Sequence, residues 1–152
     1  MTVETSEKEA GVQDTIEREV HIRAPVERVW SLLTQAEHLG TWFGDAGATI
    51  DLRPGGLLEL TWEEQGTSEG RVERVEEPTT FAFRWCSSGV YDEAVSTLVE
   101  FTLSAAGDGT VVHMVESGFA ALADGEQRHA DHSEGWGIEL GHLVEHAEGA
   151  GA

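Results

Sequence analysis

Cationic side chains are the scarcest feature of this 152-residue sequence: nine Lys and Arg stand against 29 Asp and Glu, for a formal net charge of −20. Proteins hold nucleic acid largely by setting Lys and Arg against phosphates, so nucleic acid is excluded as a partner, and anionic membrane surfaces with it. A basic protein partner stays open; otherwise the charge serves solubility. Cysteine is almost as rare. The lone Cys86 excludes an internal disulfide. With no CxxC or Cys/His spacing around it, the thiol reads as a packing residue in a reducing compartment. Long apolar runs are missing too: nothing approaches the ~18 residues of a membrane-spanning helix. Residues 1–14 hold four acids and no apolar stretch, unlike a secretory signal. The cytoplasm is therefore the expected location. Catalytic signatures are also lacking. There is no G-x-S-x-G, no H-E-x-x-H and no glycine-rich phosphate loop opening a helix, so no catalytic residue, cofactor or metal is expected.

What is present is enough for a core: 39% hydrophobic residues, with five Trp and five Phe, each large aromatic burying roughly 150–250 Å². Residues 1–14 read as a disordered acidic tail, 15–147 as one domain, and 148–152 as a frayed end. Ile16, Val20 and Ile22 alternate with polar neighbours, which is strand spacing. Pro25 then opens a helix, and Val26, Val29, Trp30 and Leu33 fall on one stripe of it. Leu39, Trp42 and Phe43 make a second short helical turn closed by Gly44.

Alternating segments follow, separated by turn residues. Thr49–Leu52 ends at Pro54-Gly55-Gly56. Leu58, Leu60 and Trp62 share a face, and Gly70–Glu76 ends at Pro78. Phe81, Phe83 and Trp85 alternate, as do Val99, Phe101 and Leu103 before Gly107-Asp108-Gly109, a hairpin signal. Val112, Met114 and Glu116 share the face taken as inner. Short loops and one apolar face per strand describe an antiparallel sheet. A last helix, about Glu126–Ala147, carries Trp136, Leu140, Leu143 and Ala147 in phase. Gly135, Gly137 and Gly141 each cost it roughly 1 kcal/mol relative to alanine, so burial against the sheet must hold it. Gly137 and Gly141, as missing side chains on a buried helix, either admit close backbone approach or leave space, which favours a cavity.

This order resembles the helix-grip (SRPBCC, START-like) superfamily of lipid-transfer domains, polyketide cyclases and pathogenesis-related proteins. Within it, the chain is most similar to the family named for the activator of heat-shock-protein-90 ATPase. The resemblance rests on Ala24-Pro25-Val26-Glu27-Arg28-Val29-Trp30 with Leu33-Thr34, on Trp42-Phe43, on Pro54-Gly55-Gly56, and on Gly135-Trp136 with Leu140 and Leu143. It implies an α+β fold in which a curved antiparallel sheet of about seven strands grips a long C-terminal helix.

In such a fold, Trp30, Trp42, Phe43, Trp62, Phe83, Trp85, Met114, Trp136 and Leu140 either fill the core or line a ligand cavity between sheet and helix. Glu116 on the inner face either anchors a ligand, or donates a proton, or ends its strand near solvent or an arginine. Arg74, Tyr91 and His113 are further candidate anchors. His129, His132, His142 and His146 lie in an acidic segment and read as a solvated helix face. The His142/His146 pair has zinc spacing and needs a third ligand, for which Glu139 is the nearest in-phase candidate, but the solvated face is the better account.

The leading expectation is a non-catalytic protein that binds a small apolar or amphipathic molecule. The alternatives are a cyclase- or hydratase-type enzyme using the same cavity, and a chaperone-linked protein-binding module. Assembly is expected to be monomeric or homodimeric.

Overall fold

A computed structural model describes residues 13–64, 66–86 and 91–150; the first twelve residues of the expected tail lie outside that range. Strand β1 (Thr15–Ile22) leads to helix α1 (Val26–Thr34). A single helical turn, α2 (Ala36–His38), runs on into a π-turn (Leu39–Phe43). Six strands follow: β2 (Ala48–Ile50), β3 (Leu57–Trp62), β4 (Gly66–Glu76), β5 (Thr80–Trp85), β6 (Thr97–Ala106) and β7 (Gly109–Ser117). Helix α3 (Gly125–Ala150) closes the chain. The seven strands form one antiparallel sheet in the order β1-β7-β6-β5-β4-β3-β2. The architecture is the α+β helix-grip fold: a curved sheet with short helices after its first strand and a long helix at its end.

Local chemistry explains the turns. The Pro25 carbonyl accepts the amides of Arg28 and Val29, starting α1. The π-turn closes where the Gly44 amide reaches back five residues to the Leu39 carbonyl, at 2.8 Å. This wider turn brings the Trp42 indole onto the Leu32 carbonyl at 2.7 Å and stacks Trp42 on Phe43. At Pro54-Gly55-Gly56 the glycines are required. Gly55 has φ +87°, and a Cβ on Gly56 would fall 2.0 Å from the Asp51 carbonyl oxygen.

Period-two alternation sorts the side chains as expected. Phe81, Phe83 and Trp85 on β5, Val99, Phe101 and Leu103 on β6, and Val112, Met114 and Glu116 on β7 are all buried. Residues between them face the convex side. A bulge between Val72 and Arg74 breaks the pattern on β4. It turns Arg74 outward beside Ala82, where it pairs with Glu76 (2.7 Å) and Glu100 (3.6 Å). Arg74 is therefore no inner anchor. His113 likewise lies on the convex face against Glu17, and Tyr91 sits in a loop beneath the Arg71 guanidinium.

Helix α3 covers the concave side, burying Trp136, Leu140, Leu143 and Ala147. It packs on β1, on the π-turn, on α1 and on the 3-10 turn Phe119–Ala121. It continues through residue 150 rather than ending near 147, and Glu148 on its last turns accepts the Arg23 amide at 3.0 Å. At the other end, the Asp14 carboxylate accepts the Ala120 amide, so Asp14 is docked rather than part of a free tail. Among the described residues, no helix is long and apolar enough to cross a membrane.

Gly137 and Gly141 overturn an expectation. Both are exposed, and a Cβ at either position meets no atom within 4 Å. They permit no close approach; they only weaken the helix. Gly137→Ala and Gly141→Ala should each raise stability by about 0.5–1 kcal/mol, read as a higher urea midpoint at unchanged slope.

Candidate functional site

At the open end of the grip, three strands and the helix converge on one carboxylate. Glu116 is the penultimate residue of β7 and is fully buried. Its Oε1 accepts the Trp136 indole N–H at 2.7 Å. Its Oε2 accepts the Trp85 indole N–H at 3.2 Å, the Thr97 hydroxyl, and His132 Nδ1 at 2.9 Å. Trp85 ends β5 and Thr97 begins β6, while His132 and Trp136 are one helical turn apart on the same face of α3. Glu116 reaches neither solvent nor an arginine, as the strand-end reading had it.

Burial pushes the Glu116 carboxyl upward, but the His132 hydrogen bond and charge, followed by the Thr97 and Trp136 hydrogen bonds, outweigh it and hold the group below its ordinary range. A carboxylate offers about four lone-pair sites, two on each oxygen; three donors crowd Oε2 and one reaches Oε1.

Above this network lies a cleft of about 540 Å³. Phe43, Trp62 and Trp85 form one wall. Helix α3 supplies the other, through Arg128, Asp131, His132, Gly135 and Trp136, with Ile138 and Glu139 at the side. The aromatic rings touch one another: Phe43 lies 5.2 Å from Trp136 and 5.5 Å from Trp85, and Trp62 lies 6.0 Å from Trp85, centroid to centroid. Burial pushes the Glu139 carboxyl up; the Trp62 indole and His142 oppose this, and Asp45 adds to it. The Arg128 guanidinium is tied to Asp124 at 3.0 Å and to the Val95 carbonyl at 3.2 Å.

Of the candidate ligand-contacting residues, Phe43, Trp62, Trp85 and Trp136 line this cleft. Trp30, Trp42, Phe83, Met114 and Leu140 are buried in the core cluster and do not line it, though Trp42 and Phe83 back its walls. Glu116 lies behind the wall, bonded to two of the lining indoles and to His132. The sequence reading did not place Arg128, Asp131, His132, Gly135, Ile138 or Glu139 on the cleft.

His132 was read as part of a solvated face, yet its side chain is only 11% exposed. It is held between Trp85 and Phe119, with ring centroids 5.8 and 5.4 Å away. The signal available in sequence was its four-residue spacing from Trp136. His129 is also engaged, on the Thr15 carbonyl at 2.8 Å.

The zinc-spaced pair divides. His146 Nε2 meets His38 Nδ1 at 3.0 Å, while His142 faces Glu139. Among the described residues, no group of three or more His, Cys, Asp or Glu is arranged to hold a metal.

Comparison with known proteins adds the lineage. The family described as "Activator of Hsp90 ATPase homolog 1-like protein" matches residues 23–148. CalU16 from Micromonospora echinospora is 30% identical, with a TM-score of 0.67 over 85% of this chain and 73% of that one. Protein MLL2253 from Mesorhizobium loti is 25% identical, with a TM-score of 0.74 over 86% and 94%. The Aha1 dimer from Colwellia psychrerythraea shares the fold at 19% identity, with a TM-score of 0.73 over 90% and 97%. No curated protein matches.

Two outcomes follow from the buried network. Glu116→Ala leaves two indole N–H groups, a hydroxyl and an imidazole without their acceptor, and should cost about 3–5 kcal/mol in a urea titration. Acid should weaken the fold in two stages. His146 is held below its ordinary value of 6.5 by burial, by His38 and by Arg28, so the unfolded chain takes up that proton first. The stability His146 contributes is present above about pH 6.5 and is lost as pH falls through its folded value. Glu116, also lowered, contributes above its ordinary 4.5 and is lost only at more acid pH. Melting temperatures measured down a pH series should show both declines, and His146→Gln should blunt the first.

Proposed function

The chain belongs to the activator of Hsp90 ATPase homolog 1-like family, and on that premise we propose that it is a non-catalytic binding protein for a small, largely apolar or amphipathic molecule. The observation that carries this reading is the cleft of about 540 Å³, walled by Phe43, Trp62, Trp85 and Trp136. Ligand pockets typically span ~300–1,000 Å³, with mostly apolar walls and a few polar groups. Here the polar groups are confined to the helix side.

An acid–base role for Glu116 finds little support. A general acid needs a carboxyl kept protonated, whereas Glu116 is stabilised as the anion and is fully buried behind the wall. Its work is to hold the wall. A protein-binding role rests on the acidic surface and the family name. The large exposed hydrophobics among the described residues are Leu52, Val95 and Ile138, few beside the aromatic cleft.

Gly135 provides the test. It lies on the cleft wall, and a Cβ there would meet no atom within 4 Å, so Gly135→Leu should project into the cleft and plug it while improving helix propensity. The neutral dye N-phenyl-1-naphthylamine should quench Trp fluorescence saturably in the unmodified protein. Binding should weaken at least about tenfold in the plugged variant, ~1.4 kcal/mol, with no loss of melting temperature. A response that never saturates, or one the plug leaves unchanged, contradicts the proposal.

A further inference from the structure

The geometry points to His132 Nε2 as the cleft's polar anchor, held in place by Glu116, for an aromatic or apolar ligand bearing one weakly acidic hydroxyl of the phenol or enol kind. This deepens the binding reading above and rests on it.

The first strand of support is the imidazole's tautomer. Nδ1 faces Glu116 Oε2 at 2.9 Å, and an ionised carboxylate only accepts, so the proton sits on Nδ1. A ring nitrogen fixed in this way leaves its partner as the site of exchange and sets that partner's character. In the neutral ring Nε2 is then the lone-pair nitrogen; in the cationic ring, whose charge favours the Glu116 anion, it carries a proton.

The second is orientation. Trp85 and Phe119 flank the ring, and His132 itself lines the cleft. With Nδ1 turned down to the buried carboxylate, the opposite edge of the ring is the one presented to the cleft.

The third is vacancy of bonding capacity. Nε2 has no hydrogen-bond partner among the described residues, and it is not sealed away. The one buried side-chain nitrogen or oxygen left unpartnered there is Arg28 Nε. The other polar groups of the cleft are less suited to this role. Arg128 is engaged with Asp124 and Val95, Glu139 is near His142, and Asp131 is exposed and accepts from Gln127.

The charge balance decides the ligand class. His132 sits over an ionised Glu116, and Asp131 and Glu139 offset Arg128, so the cleft offers no net positive charge to a strong anion. A neutral hydroxyl that donates to Nε2 costs little to desolvate and suits the aromatic walls. If its proton passes to Nε2, the resulting imidazolium faces the oxygen anion, still bonded to Glu116 through Nδ1–H. That transfer needs no group beyond the two residues and the ligand.

The test compares 2-naphthol with naphthalene, molecules that differ by one hydroxyl, each displacing N-phenyl-1-naphthylamine at about pH 8, where an ordinary imidazole is mostly neutral. The expected result is about 3- to 10-fold tighter binding of 2-naphthol, the span of one net hydrogen bond. His132→Asn places an amide N–H where Nδ1–H stood, so Glu116 keeps a partner while the Nε2 lone pair is lost. In that variant the two compounds should bind alike, whatever the change in their common affinity.

A second readout uses the unmodified protein. Imidazole nitrogen spectra should show His132 protonated on Nδ1 with or without ligand, and a shift at Nε2 with 2-naphthol but not with naphthalene. Equal affinities in the unmodified protein, a preference that survives His132→Asn, or a proton found on Nε2 instead overturns the assignment while leaving apolar binding intact. Failure of both compounds to displace the dye refutes the cleft itself, and the anchor with it.

Discussion

Removing a carboxylate from water costs several kcal/mol unless both its oxygens are hydrogen-bonded and its charge is answered. Glu116 meets both conditions with side chains drawn from β5, β6 and α3. That requirement shapes the open end of the molecule. The last residue of β5 and the first of β6 must arrive beside the end of β7, and α3 must present His132 and Trp136 in the same phase. The indoles of Trp85 and Trp136 are thereby fixed by their N–H groups, and their rings become rigid walls of the cleft. A buried ion of this kind is weak evidence for added stability; what it shows is that β5, β6 and α3 are all tied to the end of β7.

The helix is held by this end and by its apolar seam, not by its own propensity. Trp136, Leu140, Leu143 and Ala147 give it a narrow buried stripe, while Gly137 and Gly141 face solvent and Gly135 faces the cleft. Gly135 is the informative one. A larger residue there would occupy the space that the aromatic wall leaves open, so the missing side chain is part of the cleft's volume. The opposite end is fixed differently, by Glu148 on the Arg23 amide and by the His38–His146 contact.

Much of the fold was legible because it is written in short periods. Phe81, Phe83 and Trp85, or Val112, Met114 and Glu116, alternate in steps of two, and Trp136, Leu140 and Leu143 step by turns of a helix. These periods assign the inner face without any knowledge of partners. Glu116 could be placed on that face for the same reason. What it bonds could not be read, since its four donors come from positions 16 to 31 residues away, and only the folded sheet brings them together. His132 was obscured by its setting, flanked by Asp131 and close to Glu134, which makes the segment look solvated; its phase with Trp136 was the better guide. Arg74 was misplaced by one residue of β-bulge, which reverses every later side chain on that strand. Among the aromatics, composition cannot separate core from cleft. Trp30 and Trp42 pack inward through α1 and the π-turn, whereas Trp62 and Trp85 are near the mouth, and that distinction is purely tertiary.

The claim on which the site depends is that the Trp85 and Trp136 indole N–H groups donate to one buried carboxylate. Hydrogen exchange of the five indole N–H groups, followed by NMR, tests it directly. Trp85 and Trp136 should exchange slowly, on the scale of global unfolding, together with Trp42 on its carbonyl, while Trp62 at the cleft exchanges fast. If Trp85 and Trp136 exchange as quickly as Trp62, Glu116 does not hold them, and the account of the cleft is wrong.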